Sequence, residues 1–334
     1  MGRRVRPTIA ISMGDPAGIG PEILLKALLK PSVERSARII VVGSRSKLGT
    51  TARRLGLAVR ITEAGIRLPG GRVFSITDVD TTRSQVPLGR PSCQGGEIAG
   101  KAVEEAVRLA LSGEVDGIVT SPVSKEALAL AGYGMVGHTE ILARLTGTTD
   151  YAMMLTRRRL RIVFVTGHVA HRSVARKLRS DRILRCIKLA NRYIDLYFGI
   201  AKPHLGVACL NPHCGEGGLM GDEESRIIRP AVVAARRGGI DVEGPFPADY
   251  LLSDPVSARF DGIIAMYHDQ GMIALRSEGF DDVVNITLGI PIVRTSPGHG
   301  TAFEIAGSGE ASEASMVSAI RQCVRIIKRL RDAR

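Results

Sequence analysis

The sequence predicts an α/β fold with a largely parallel sheet, and three observations predict it. Short β-rich runs alternate with helical stretches along the chain. A hydrophobic content of 44% over 334 residues is enough for the cores of one large or two medium domains. Polar, chemically capable residues follow directly after apolar strands, the position where open α/β sheets bind ligands.

The elements follow in order. The strand "TIAIS" (8–12) leads into "MGDPAGIGPE", and "RIIVVG" (38–43) is the second strand. Over 94–112, Ile98, Ala102, Ala106 and Ala110 recur four apart with Val103, Val107 and Leu111 beside them, which is helical spacing. The strand "GIVTS" (117–121) runs into "SPVSK", and a helix is expected over 139–146. "RIVFVT" (161–166) is followed by "GHVAH", and a helix over 180–198 comes next. "LGVACL" (205–210) ends in "NPHCGEGG", before a helix over 223–237. "GIIAM" (262–266) ends in "YHDQG", "VVNIT" (283–287) is the last strand, and a helix over 312–331 closes the chain.

Composition excludes several classes. Net charge is +13, which invites a nucleic-acid or membrane reading. The basic residues are scattered through "MGRRVR", "TRRRLR" and "KRLRDAR", and no nucleic-acid module accompanies them. Aromatics are 4% with no Trp, too few for a base-stacking platform. A nucleic-acid-binding protein would also leave the strand-end motifs unexplained. The five Cys form no C-x-x-C pair, so neither a disulfide framework nor a zinc ribbon is indicated, and a reducing cytoplasm fits. The apolar run "TIAISM" is too short for a signal peptide, and no apolar segment approaches the ~18 residues of a membrane span.

Three of the seven His share one context: His168, His213 and His268 each lie just past the end of an apolar strand. Neutral imidazole is the commonest protein ligand for zinc and similar metals, and three ligands with one open position is the usual catalytic arrangement. Each His alone reads as a satisfied structural residue, and only their shared topology points to a shared metal. Asp269 and Gln270 would then orient a ring or a metal-bound water, with a helix N-cap as the plainer role for Asp269. His171 reads as surface at a helix start.

Other stretches point to anion binding. "GDPAGIGPE" (14–22) is neither of the usual nucleotide patterns; it reads as a simple turn, though a helix starting there could bind an anion. "GHTE" (137–140) reads as a capped helix start with His138 and Thr139 free to touch a ligand. Asn285 and Arg294 sit inside apolar runs, and a buried Arg needs an internal carboxylate or a ligand's phosphate or carboxylate. In "GHGTAFEIAG", Gly300 and Thr301 suit a cofactor's polar groups.

"SMGDPAGIGPEI", "GHTE", "LNPHCGEGG", "YHDQG" and "VNITLGIPIVRTSPGHGTAFEIAG", in this order from about residue 8 to about 307, resemble the 4-hydroxythreonine-4-phosphate dehydrogenase family, the pyridoxine-biosynthesis dehydrogenases. The resemblance implies two α/β domains with a cleft between them, like isocitrate and isopropylmalate dehydrogenases. The first domain is expected over 1–130 plus 288–334; the second, over 131–287, carries metal ligands and dimer contacts. It implies a homodimer with a divalent metal held by His168, His213 and His268 at a site shared between subunits. Zinc suits three His; magnesium, manganese, cobalt and nickel are alternatives. His138, Thr139, Arg276, Asn285 and Arg294 fall on substrate-binding positions.

The implied reaction is NAD-dependent (alternatively NADP-dependent) oxidation of 4-phosphohydroxy-L-threonine with loss of carbon dioxide, giving 3-amino-2-oxopropyl phosphate for pyridoxal phosphate biosynthesis. Three departures from the family pattern stand out: Arg276 where Lys is usual, Gly298 where Asp is common, and "VTGHVAH", which is closer to catabolic relatives. Those relatives act on four-carbon sugar-acid phosphates such as D-threonate 4-phosphate, and a further branch oxidises aromatic cis-dihydrodiols. A metal-dependent hydrolase or lyase would keep the metal but form no reduced cofactor.

Overall fold

The computed structural model describes residues 6–80, 85–277, 279 and 281–333. Among these residues lie thirteen strands: β1 (Thr8–Ser12), β2 (Arg38–Gly43), β3 (Arg60–Thr62), β4 (Gly65–Arg67), β5 (Val73–Asp78), β6 (Gly117–Thr120), β7 (Ala152–Arg157), β8 (Leu160–Phe164), β9 (Leu205–Ala208), β10 (Val242–Phe246), β11 (Gly262–Ala265), β12 (Val284–Leu288) and β13 (Val293–Pro297). The principal helices are α1 (Gly20–Leu28), α2 (Cys93–Leu111), α3 (His138–Leu145), α4 (Ser180–Phe198), α5 (Arg229–Arg237), α6 (His268–Arg276) and α7 (Ala314–Asp332).

The chain divides into two compact units. The first comprises Met1–Thr148, Phe280–Val284 and Ile290–Arg331, and the second Thr149–Gly279, Asn285–Gly289 and Asp332–Arg334. The expected boundary after residue 130 is therefore too early. α3 belongs to the first unit because Ile141 and Leu142 are buried in one core with Ala102, Val103 and Ala106 of α2. The final return to the first unit falls at Ile290, two residues beyond the expected 287/288, and Phe280–Val284 also belong to the first unit.

In the first unit the strand order is β13-β6-β1-β2-β5-β4-β3. The pairs from β13 to β5 are parallel, while β4 pairs antiparallel with both β5 and β3. α2 buries Ile98, Ala102, Val103, Ala106 and Val107, the face its four-residue spacing predicts, together with Ala10, Val42 and Ile118 of the strands. Each large apolar side chain so buried contributes roughly 1.5–3 kcal/mol. Leu111, on the same predicted face, is 50% exposed because the helix ends there.

In the second unit the order is β10-β9-β11-β8-β7-β12. β10, β9, β11 and β8 are parallel, and β7 runs antiparallel to β8. α4 buries Ile183, Cys186, Ile187, Ala190, Tyr193, Ile194 and Tyr197, a 3.6-residue stripe. It stops at Gly199, whose φ of 74° is the left-handed conformation that ends helices. All five cysteines are free. Among the described residues, no helix is long and apolar enough to cross a membrane.

Sequence reasoning did not anticipate β3, β4, β5, β7, β10 and β13. β7 is the instructive case: "AMMLTR" is rich in good helix formers, but pairing along β8 from Met153–Phe164 to Arg157–Leu160 holds it extended. The sheet is accordingly mixed rather than wholly parallel.

Candidate functional site

In the second unit, β8, β9 and β11 all end at one edge, and the predicted histidines lie just beyond them. Val165 N–H donates to Ala265 O (2.9 Å), and Thr166 donates to Met266 O through both N–H (3.2 Å) and Oγ1 (2.7 Å). These bonds keep the ends of β8 and β11 side by side. The His168 and His268 rings consequently lie 5.1 Å apart, centroid to centroid, tilted by 40°.

His268 is the first residue of α6, whose N-cap is Tyr267. Asp269 is therefore not the cap that was one of its two expected roles. Its Oδ1 lies 2.7 Å from His268 Nδ1, and this bond holds the carboxyl below its usual range. It orients the ring, as a carboxylate behind a ligating imidazole does. Gln270 is buried and committed to backbone: its Nε2 donates to Cys209 O (2.8 Å), and its Oε1 accepts from Met266 N–H (2.7 Å). It ties the end of β11 to the end of β9 rather than holding a water.

His213 is carried by a strained loop. His213, Cys214, Gly215, Glu216 and Gly217 all have left-handed backbone, with φ between 44° and 81°. For the non-glycine residues this costs roughly 1–2 kcal/mol each. Buried Glu224 anchors the loop entrance, its Oε1 accepting from the N–H groups of Leu210 and Asn211 (2.8 Å each) and its Oε2 from Asn211 Nδ2 (3.0 Å). Glu224 also opens a single π-helical turn ahead of α5, a feature common at functional sites.

His213 lines a cavity of about 460 Å³ with His171, Asn211, Asp249, Tyr267 and Gln270. His171, expected as plain surface, is exposed but presents its ring edge-on to Tyr267 at 5.4 Å.

The expected metal triad is not closed within one chain. Among the described residues, no three His, Cys, Asp or Glu side chains form a group able to hold a metal ion. His168 and His268 are brought together, whereas the left-handed turn carries His213 onto the cavity wall, whose lining includes neither of them. The donor chemistry of the pair, with Asp269 behind one ring, suits two ligands of a divalent metal.

In the first unit a second set gathers where β1 and β6 end beside β13. Arg294, on β13, is 1% exposed, and its Nε and NH2 donate to Thr120 Oγ1 at 3.1 and 2.7 Å. Burial lowers its pKa to about 9, with Glu140 opposing. His138 opens α3, whose N-cap Gly137 donates its N–H to Glu140 Oε2 (3.0 Å). Burial, then the nearby Arg294, hold the His138 ring well below its ordinary pKa, so it is neutral. Its Nε2 is enclosed and has no hydrogen-bond partner, and the same is true of Ser12 Oγ, Ser121 Oγ and Asp15 Oδ2. Buried polar atoms are rarely left so, which marks the place as one for a ligand or ordered water.

The glycine loop packs into this edge. Gly14 has φ 76°, and a Cβ there would lie 2.4 Å from Pro122 O, so only glycine lets Asp15 N–H reach Pro122 O (2.9 Å). Ile19 N–H donates to Thr301 O (2.9 Å), so the loop carrying Gly300 and Thr301 lies against it. The absence of a side chain at residue 298 also has a physical reason: a Cβ would fall 2.6 Å from Val283 Cγ1.

The predicted substrate residues thus divide between the units. His138, Thr139 and Arg294 belong to the first, and Arg276 and Asn285 to the second. Asn285, the second residue of β12, has an enclosed, unpartnered Oδ1, and Arg276 ends α6 with its pKa lowered by burial. Sequence reasoning missed Asp15, Ser12, Thr120 and Ser121. The available signal was the one used for the histidines, a polar residue at the end of an apolar strand.

Comparison with known proteins gives a consistent picture. The family model for pyridoxal phosphate biosynthetic protein PdxA matches residues 35–323. The chain is 44% identical over 325 residues to a 4-hydroxythreonine-4-phosphate dehydrogenase of Geobacter metallireducens, covering 94% of each chain. It is 42% identical to a D-threonate 4-phosphate dehydrogenase of Salmonella typhimurium, covering 96% of this chain and 98% of the other. The solved 4-hydroxythreonine-4-phosphate dehydrogenase of Klebsiella pneumoniae is similar with a TM-score of 0.83 and 40% identity, over 96% of this chain and 99% of that one. Isocitrate dehydrogenase of Methylococcus capsulatus shares the fold, with a TM-score of 0.52 at 14% identity over 98% and 87% of the chains. The expected isocitrate dehydrogenase-like α/β fold is borne out.

Proposed function

Because this chain belongs to the pyridoxal phosphate biosynthetic protein PdxA family, we propose that it is a dehydrogenase that oxidises and decarboxylates 4-phosphohydroxy-L-threonine to 3-amino-2-oxopropyl phosphate, using NAD, with NADP as the alternative. The observation that carries the reading is the fully buried Arg294 beside a neutral His138 at a helix N-terminus. A desolvated guanidinium gains most from a ligand anion that accepts through its planar fork. The backbone N–H groups at the start of α3 favour negative charge at the same place.

In this reading Arg294, His138 and Thr139 hold the phosphate and fix the substrate's orientation. Substrate contacts are proposed for Arg276 and Asn285 as well, and cofactor contacts for Gly300 and Thr301. Bound NAD, against Gly300 and Thr301, would supply the hydride acceptor for the hydroxyl carbon, which loses its hydroxyl proton as the ketone forms. The carbon–carbon bond to the carboxylate then breaks, carbon dioxide departs, and its electron pair passes to the new carbonyl before protonation. His168, His213 and His268 would hold a divalent metal, zinc first, whose chemistry is Lewis acidity at the hydroxyl oxygen. Since only two of these imidazoles meet within one chain, we propose a homodimer in which ligands come from both subunits. Five free thiols suit a cytoplasmic setting.

The test is formation of reduced nicotinamide cofactor from 4-phosphohydroxy-L-threonine, before and after treatment with a chelator. Turnover that the chelator abolishes and added metal restores is expected. A second reading, oxidation of D-threonate 4-phosphate, is supported by the 42% identity to an enzyme so named. Folded, metal-replete protein that turns over D-threonate 4-phosphate and not 4-phosphohydroxy-L-threonine would establish it instead.

A further inference from the structure

Asp15 has no role in the reading above, yet it is 0% exposed and only half satisfied. Ala17 N–H donates to its Oδ1 (2.9 Å), which closes a tight turn. Its Oδ2 is enclosed and has no partner. Burial raises the carboxyl pKa to about 6, with the Ala17 bond opposing. A group that costs this much to bury and to leave unpaired is normally found where a ligand completes it.

The end of β6 ties Asp15 to the Arg294 site: Thr120 Oγ1 accepts from Arg294, and two residues on Pro122 O accepts from Asp15 N–H. The unpartnered hydroxyls of Ser12 and Ser121 lie along the same strand ends, whose residues Ser12 and Thr120 are paired in register.

We infer that Asp15 contacts the ligand directly: its free carboxylate oxygen accepts a hydrogen bond from an O–H or N–H group of the molecule bound beside Arg294. The inference rests on the proposed dehydrogenase reading. The donor belongs either to the substrate, as a hydroxyl or ammonium, or to the cofactor, as the carboxamide of nicotinamide. Both share the chemistry of an O–H or N–H donor offered to a carboxylate oxygen.

The Asp15→Asn variant separates this role from a structural one. Asn keeps an oxygen for Ala17 N–H and so preserves the turn, but it places a donor where the free acceptor stood. The expected result is a KM raised about tenfold or more for one ligand, with a cooperative melt at or above the wild-type temperature at neutral pH. A rise confined to the phosphate substrate assigns the donor to substrate; a rise confined to NAD assigns it to the nicotinamide. The phosphate itself titrates near pH 6, so the pH signature is the difference between the wild-type and Asp15→Asn KM profiles. That difference should widen as pH rises through about 6.

Should Asp15→Asn not fold, Asp15→Ser retains an acceptor for Ala17 N–H and removes the free oxygen, and the same rise is expected. Wild-type turnover with both KM values unchanged in the folded variant overturns the inference alone. A wild-type protein that turns over neither phosphate overturns the dehydrogenase reading and this inference with it.

Discussion

The carboxyl edges of the two units handle polar residues in opposite ways. The first-unit edge is enclosed: Arg294, Thr120, Ser121, Ser12 and Asp15 are each under 5% exposed, and Ser12 Oγ, Ser121 Oγ and Asp15 Oδ2 are unpartnered. The second-unit edge is open: His168 and His213 are exposed, and His213 rides on a left-handed, strained turn anchored from below by Glu224. Low dielectric makes each charge at the first edge matter more and makes an unfilled site costly. Exposure at the second edge leaves its imidazoles available to an external ion. In the proposed reading, one edge recognises charge and the other collects ligating nitrogens.

The sharpest way to break the comparison is Arg294→Ala. Removing one member of a buried charge pair costs about 3–5 kcal/mol, so substrate KM should rise on the order of a hundredfold to a thousandfold. Arg294→Lys should rescue little of it, because Lys lacks the planar fork. Steady-state kinetics of the two variants decides; a near-wild-type KM in the alanine variant would remove the anion site from the first unit.

Next in size is the pH dependence of stability that comes from Asp15. Its folded pKa, about 6, lies above the ordinary 3.8. Its contribution is therefore fully present below about pH 3.8 and is lost as pH rises through about 6. Relative to Asp15→Asn, which does not titrate, wild type should lose on the order of 3 kcal/mol of stability between about pH 4 and neutral pH. Urea denaturation of both proteins at the two pH values measures this, and parallel behaviour would show the first edge to be wetter than its burial implies.

The smallest effect is expected at the open edge. Asp269→Ala frees the His268 ring from its 2.7 Å bond and should weaken metal affinity about tenfold to a hundredfold. Competition of the variant and wild type with a chromogenic chelator reads it directly. Equal affinities would mean that the Asp269 carboxylate does not support a ligating ring.

Much of both edges was legible before any tertiary information. An apolar strand that ends in "YHDQG" or "NPHCGEGG" announces where its polar residues emerge, because strand ends in parallel sheets open outward. The same rule applied to "TIAISMGD" would have found Asp15, but a lone Asp before Pro reads first as a turn residue. β7 was hidden for the opposite reason: its composition favours a helix, and only the partner strand makes it extended.

What the sequence by itself determined was the α/β class, the helical faces of α2 and α4, and the list of strand ends that carry chemistry, because periodicity and turn residues are local properties of the chain. Tertiary structure alone decided which of those residues meet. His168 joins His268 through the bonds between β8 and β11, while His213 lines a cavity with Tyr267 and Gln270. Arg294 and Asp15 meet Thr120 and Pro122 at the end of β6 although they are far apart in sequence. Distance, burial and an unpartnered atom are properties of packed neighbours, and no local pattern in the chain encodes them.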